Sequence, residues 1–331
     1  MSRKGLVSAV VVLCVAGGGA AIVLADSDGG KDTEPATSAA GRWTAMRPSL
    51  LARTEVAAAR VGRFVYVAGG FERRSGRSTA AVERYDLRRD RWRRVRPMPV
   101  ALNHPAAAPY RGDVYILGGY TGRGDLRGEV ASLYRYDPGR DRWSRLTDAP
   151  TRRAALAAGV VGSKLYAAGG ANSSDGALRT LEIYDFAARR WTRGPDMGIA
   201  REHVAGAVAG GAFYVLAGRA AGRGNFKVTE RYLPGTGRWE RLPDMEKPRG
   251  GIGAATVGGK VIVVGGEEQS GTIREVESYD PAHRRWTRLA DLRLPRHGLG
   301  VVSHRGRVYA IEGGLEPGFF FSRANESLDV R

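Results

Sequence analysis

Arginine, histidine and glutamate recur at one place in a repeating pattern, just ahead of short runs of alanine, glycine and valine. The arginines there are Arg53, Arg152, Arg201, Arg249 and Arg296, and the second unit carries Asn103 and His104. Glu55, Glu202, His203 and His297 stand beside them. Guanidinium forks gathered around one opening would clamp a carboxylate or a sulfated sugar through paired hydrogen bonds. A histidine or glutamate facing a bound sugar would do acid–base work on it. If the same arginines point inward, they instead tie neighbouring units together. Three histidines in alternate units, His104, His203 and His297, suggest a metal on a common axis, but they precede the next glycine landmark by 14, 14 and 16 residues. That mismatch, across a wide channel, argues against a shared ion, so neither a metal nor a cofactor is expected.

The rest of the chemistry is narrowed by what the chain lacks. Its single cysteine, Cys14, lies in an apolar N-terminal run, so the remaining residues offer no disulfide, no thiolate zinc site and no cysteine nucleophile. No phosphate-binding loop, nucleophile elbow or zinc-protease helix motif is present. The net charge is +18, and Arg3, Lys4 and Lys31 are outnumbered by Asp26, Asp28, Asp32 and Glu34, so residues 41–331 carry +19. Such a surface attracts polyanions. The arginines are spread over every unit rather than clustered, which favours a compositional origin over a specific nucleic-acid footprint.

The elements that must position these residues show in the spacing of two other markers. The tryptophans Trp43, Trp92, Trp143, Trp191, Trp239 and Trp286 advance by 49, 51, 48, 48 and 47 residues. The pairs Gly69-Gly70, Gly118-Gly119, Gly169-Gly170, Ala217-Gly218, Gly265-Gly266 and Gly313-Gly314 advance by 49, 51, 48, 48 and 48. A period near fifty is that of a propeller blade. A tyrosine precedes each interior tryptophan by seven residues (Tyr85, Tyr136, Tyr184, Tyr232, Tyr279), and Glu83, Glu182, Glu230 and Glu277 stand two before four of them.

With its diglycine, its Glu-x-Tyr-Asp step and its downstream tryptophan, each unit resembles the kelch motif over residues 41 to 331. Blade 2 departs with Tyr134 in the glutamate place, and blade 4 with Leu233 in the aspartate place and Arg219 at a glycine position. The resemblance implies an all-β, six-bladed kelch propeller with four antiparallel strands per blade. The last unit has no tryptophan strand, and Gly41-Arg42-Trp43-Thr44 matches Gly237-Arg238-Trp239-Glu240. An N-terminal strand carrying Trp43 is therefore expected to complete the C-terminal blade and leave no free sheet edge.

Residues 1–25 pair Arg3 and Lys4 with an apolar run ending in Val23-Leu24-Ala25, the layout of a signal peptide or signal anchor, and 26–40 read as a flexible linker. An extracytoplasmic protein, secreted or held at the cytoplasmic membrane, follows, and a monomer is expected. Longer loops follow the glycine pairs, from Phe71, Tyr120, Arg219 and Leu315, so any site is placed on that face. Candidate binding residues there are Arg53, His104, Arg152, Arg201, His203, Arg219, Arg249, Arg296 and His297, with Phe319-Phe320-Phe321 available to stack on sugar rings. The expected partner is a protein or an anionic glycan at the cell envelope. Among kelch proteins, the exported sialic-acid mutarotases are similar in size and export, which implies an alternative, acid–base catalysis on an anionic sugar.

Overall fold

The innermost strand of each unit is made of small residues because six such strands converge on one axis. They are Ala57–Val61, Ala106–Tyr110, Ala157–Val161, Ala205–Ala209, Gly253–Val257 and Gly300–His304, each packed against the next and the last against the first. A Cβ on Gly206 would lie 2.5 Å from the Ala158 carbonyl oxygen of the neighbouring strand. The crowding leaves a channel of about 250 Å³ lined by these strands.

The computed structural model describes residues 41–122 and 124–330. The expectations for segments 1–25 and 26–40 lie outside the described residues. Among the described residues there are six four-stranded antiparallel sheets, and no helix is long and apolar enough to cross a membrane. In the fifth sheet the strands run Gly253–Val257, Lys260–Val264, Val276–Asp280 and Arg285–Leu289, from the axis outward. The second strand is buried on both faces except at Lys260, and the fourth is exposed or half-buried throughout. This is the gradient expected from a wall that is core inside and solvent outside.

The sequence markers have definite mechanical roles. The aspartate of the Glu-x-Tyr-Asp step accepts backbone hydrogen bonds in the turn that follows, as Asp86 does from Arg88 at 3.1 Å and Arg89 at 3.3 Å. Blade 4, with Leu233 there, closes the turn by a Gly237 N–H to Leu233 carbonyl bond of 2.8 Å. Each interior tryptophan packs on the tyrosine of its own blade, with Tyr85 and Trp92 centroids 4.7 Å apart. Its indole N–H then donates to a carbonyl of the adjoining blade's segment, Trp92 to Arg47 at 2.8 Å and Trp239 to Pro195 at 2.8 Å. Trp43 makes the same bond to Ala290 at 2.8 Å. The two-residue strand just after it, Thr44–Ala45, pairs antiparallel with Asn325–Asp329, so the sixth sheet joins the beginning of the described chain to its end.

Candidate functional site

The expected ring of arginines at the mouth is not there. Arg53, Arg201, Arg249 and Arg296 have no exposed surface. Each runs inward to the glutamate of its own blade's third strand and to nearby backbone carbonyls. Arg201 reaches Glu230 at 2.6 Å and the Ala217 carbonyl at 2.6 Å, and Arg296 reaches Glu326 at 2.7 Å. In blade 3 it is Arg153, 1% exposed, that pairs with Glu182, while Arg152 is exposed on the rim near Glu129. The one blade without the arginine, blade 2, has buried Leu102 in its place and buried Tyr134 in place of the glutamate. Both charges are absent together, as expected where a lone buried ion would be strongly destabilising.

The sixth glycine pair is also corrected by one residue. Glu312-Gly313 occupies the place of Gly69-Gly70, with Glu312 in the same left-handed backbone region at φ 58°. Its carboxylate reaches Arg53 Nε at 3.0 Å, while Glu83 reaches Arg53 Nη2 at 3.2 Å, so two buried carboxylates share one guanidinium. Burial, only partly offset by Arg53, pushes the Glu312 carboxyl up to about 7. A raised carboxyl pKa favours the neutral form in the fold, so its contribution is intact below about 4.5 and is lost as pH rises through about 7. Glu312→Gln is therefore expected to match the wild type at pH 4.5 and to exceed it at pH 8 by up to about 3 kcal/mol, read as the difference in urea midpoints. A variant offset that does not change between the two pH values would contradict this.

What does gather at the mouth is set by position within the repeat. The second residue after each buried arginine, or after Leu102, reaches the axis: Glu55, His104, Ala155, His203, Gly251 and Gly298. All six have positive φ, from 51° to 64°. Their backbones are linked across blade boundaries, with His104 N–H donating to Glu55, Ala155 to His104, Gly251 to His203 and Gly298 to Gly251 at 2.8–3.1 Å. The first residue after the arginine bridges instead to the residue that follows the glycine pair, as Glu202 does to Arg219 and Gly250 to Glu267. Arg219 thus lies one place beyond the glycine pair rather than at a glycine position. The loops that follow fold mostly as two-residue hairpins, such as Phe71–Glu72 with Arg77–Ser78.

His104, His203, His297 and Arg219, four of the nine candidates, come together here with Glu55, Glu202 and Glu267. His104 Nε2 is 3.0 Å from His203 Nε2 and 3.1 Å from Glu55 Oε2. His297 Nδ1 lies 3.0 Å from Glu55 Oε1 and 3.5 Å from Glu267 Oε2. Arg219, with 30% of its side chain exposed, holds Glu202 at 3.0 Å, Glu267 at 2.7 Å and His203 Nε2 at 2.9 Å. His203 Nδ1 bonds Glu202. Burial pushes His104 down to about 3 despite the nearby Glu55 carboxylate. His297 is raised, because the hydrogen bond and charge of Glu55 and the charge of Glu267 outweigh its burial. Burial opposes ionisation of Glu55, yet the histidines around it hold it well below the usual carboxylate range.

Glu267 and Glu312 escape detection from sequence, because each occupies a place that other blades fill with a different residue type. Aligning on the position after the glycine pair would have set Glu267 beside Arg219. The unequal histidine offsets combine two one-residue shifts: His104 and His203 are axial whereas buried His297 precedes axial Gly298, and the last landmark is Glu312-Gly313 rather than Gly313-Gly314. Above the cluster, exposed Phe319 packs against buried Phe71 with centroids 4.9 Å apart, and Phe320 is 43% exposed.

A search of curated proteins finds no match to this chain. Among solved structures, that of YjhT superposes with a TM-score of 0.73 at 15% identity, covering 85% of this chain and 95% of that one, a likeness of fold. The family model for the Attractin/LZTR1 beta-propeller matches residues 65–317. A match over most of the chain, together with the blade geometry, makes this kelch-type protein a member of the Attractin/LZTR1 beta-propeller family.

Proposed function

We propose that the protein is an extracytoplasmic binding propeller that engages a carbohydrate or a protein segment across its long-loop mouth. The observation that carries this reading is a polar floor of Glu202, Arg219 and Glu267 beside the exposed rings of Phe319 and Phe320. Aromatic faces with fixed polar groups at their edge suit pyranose rings. The charge balance changes the expected ligand. With the blade arginines sealed inside, Glu55, Glu202 and Glu267 face Arg219 and the raised His297, so a neutral or amino-bearing ligand fits better than an anionic one. Export rests on the charged and apolar pattern of residues 1–25.

The test is a glycan array with the purified protein, read at low and physiological salt. Selective binding of neutral or amino sugars that survives salt is expected. Phe319→Ala should weaken it by about 3–10-fold, the range of an aromatic contact, and Arg152→Ala should leave it unchanged. Binding confined to anionic glycans and abolished by salt would overturn the reading. A second reading, sugar mutarotation, is favoured by the Glu202–His203 pair, which could relay a proton at the mouth. It requires anomeric exchange of the bound sugar, followed by NMR, to slow in Glu202→Gln.

A further inference from the structure

We propose that the long-loop end of the axis binds a divalent first-row metal ion such as zinc, held by Glu55 Oε2, His104 Nε2 and His203 Nε2. These three donor atoms come from three different blades, all lie within 4.8 Å of one another, and all three residues are buried. The argument rests on where the imidazole protons are. Asn103 donates through Nδ2 to Ser78 Oγ at 2.7 Å and to the Tyr120 carbonyl at 3.3 Å, which turns its Oδ1 toward His104 Nδ1 at 2.6 Å. An amide oxygen only accepts, so His104 carries its proton on Nδ1. His203 Nδ1 faces the Glu202 carboxylate, which likewise only accepts. Arg219 Nη2 donates to His203 Nε2 at 2.9 Å, so that nitrogen presents a lone pair, and it faces His104 Nε2 across 3.0 Å, with Glu55 Oε2 3.1 Å from His104 Nε2.

Acceptors converging in this way call for a cation between them. Two donors each about 2.1 Å from one ion, at angles of roughly 90–110°, stand about 3.0–3.4 Å apart, which the two contacts to His104 match. Two imidazoles and one carboxylate form the donor set of open transition-metal sites. Each ligand also has an orienting partner of its own: Asn103 for His104, Glu202 for His203, and His297 Nδ1 on the second oxygen of Glu55 at 3.0 Å. The remaining axial positions, Ala155, Gly251 and Gly298, carry no side chain that could fill the centre, and a cavity of about 70 Å³ lies among all six. That volume accommodates an ion with a bound water.

Arg219 is the competitor. Its Nη2 donates to His203 Nε2 at 2.9 Å and must give up that bond when the metal enters, while keeping Glu202 and Glu267. Removing it should therefore tighten metal binding, which a site elsewhere on the protein would not show.

The experiment uses the chelator-stripped protein, titrated with Zn²⁺ and Co²⁺ by calorimetry and followed by thermal unfolding. One ion per chain and a saturable rise in Tm are expected. His104→Gln and His203→Gln should each abolish binding. Asn103→Ala, which removes only an orienting partner, should weaken it about 10-fold. Arg219→Gln should strengthen it, and His283→Ala, at an exposed histidine, should leave it unchanged. X-ray absorption of the zinc-loaded unmodified protein should show two imidazole ligands, a readout that does not depend on any variant folding. No binding of either ion, one imidazole or none in that spectrum, or binding retained after both histidine substitutions would overturn the proposal and leave a shared proton as the occupant.

Discussion

Arg249→Leu alone is expected to destabilise the protein by about 3–5 kcal/mol, and adding Glu277→Tyr is expected to recover most of that loss. Arg249 is wholly buried, bonded to Glu277 and to the carbonyls of Gly265 at 3.2 Å and Glu275 at 2.8 Å. Burial opposes its charge, and Glu277 restores part of what burial removes. Taking away the guanidinium strands a carboxylate in an apolar wall, and the penalty for an unpaired buried ion exceeds the net worth of the pair. The leucine–tyrosine combination is one the protein already carries, in Leu102 and Tyr134 of blade 2. Equilibrium urea unfolding of the single and double variants decides the matter. A double variant no more stable than Arg249→Leu would mean that the carbonyl bonds, not the ion pair, are what the arginine supplies.

The second large effect is at the seam. Trp43 is 3% exposed and packs with Leu292, Leu299 and Leu328, whereas the other five tryptophans are half-buried. Trp43→Ala should cost about 3–5 kcal/mol, the range for emptying a buried aromatic site, and Trp191→Ala clearly less. Removing residues 41–47 should be worse than either, because Asn325–Asp329 becomes an unpaired edge strand that can template association. Thermal unfolding ranks the substitutions, and light scattering on warming reads the truncation. Equal losses at Trp43 and Trp191 would show that the seam is no more critical than any other blade boundary.

Much of this architecture is legible in the residues themselves. Tryptophan and glycine periodicity survives because each marker has one backbone-level job per blade: an indole bond back to the preceding blade, and a tight exit from the second strand. The site is less legible because it depends on side-chain direction and on single-residue register. Arg152 and Arg153 are adjacent, and only the second points inward to Glu182. The partner of each blade arginine lies roughly thirty residues away in the same repeat, so spacing alone leaves open whether it faces ligand or glutamate. In the last blade, Gly313-Gly314 imitates the glycine pair and hides Glu312, whose role appears only beside Arg53.

The six axial residues have a consequence for variation. Each sits in a left-handed backbone conformation held by bonds to its neighbours' main chains, not by its own side chain. The axial ring therefore behaves as a set of sockets, of which Glu55, His104 and His203 are filled with reactive groups and Ala155 and Gly251 are blank, while a side chain at Gly298 would have to displace the Glu55 carboxylate, 2.5 Å from where its Cβ would lie. New chemistry can be installed one socket at a time, most readily as asparagine, aspartate or histidine, which tolerate that conformation best. Relatives that keep the blades and differ only at these six positions would share a scaffold while recognising quite different ligands.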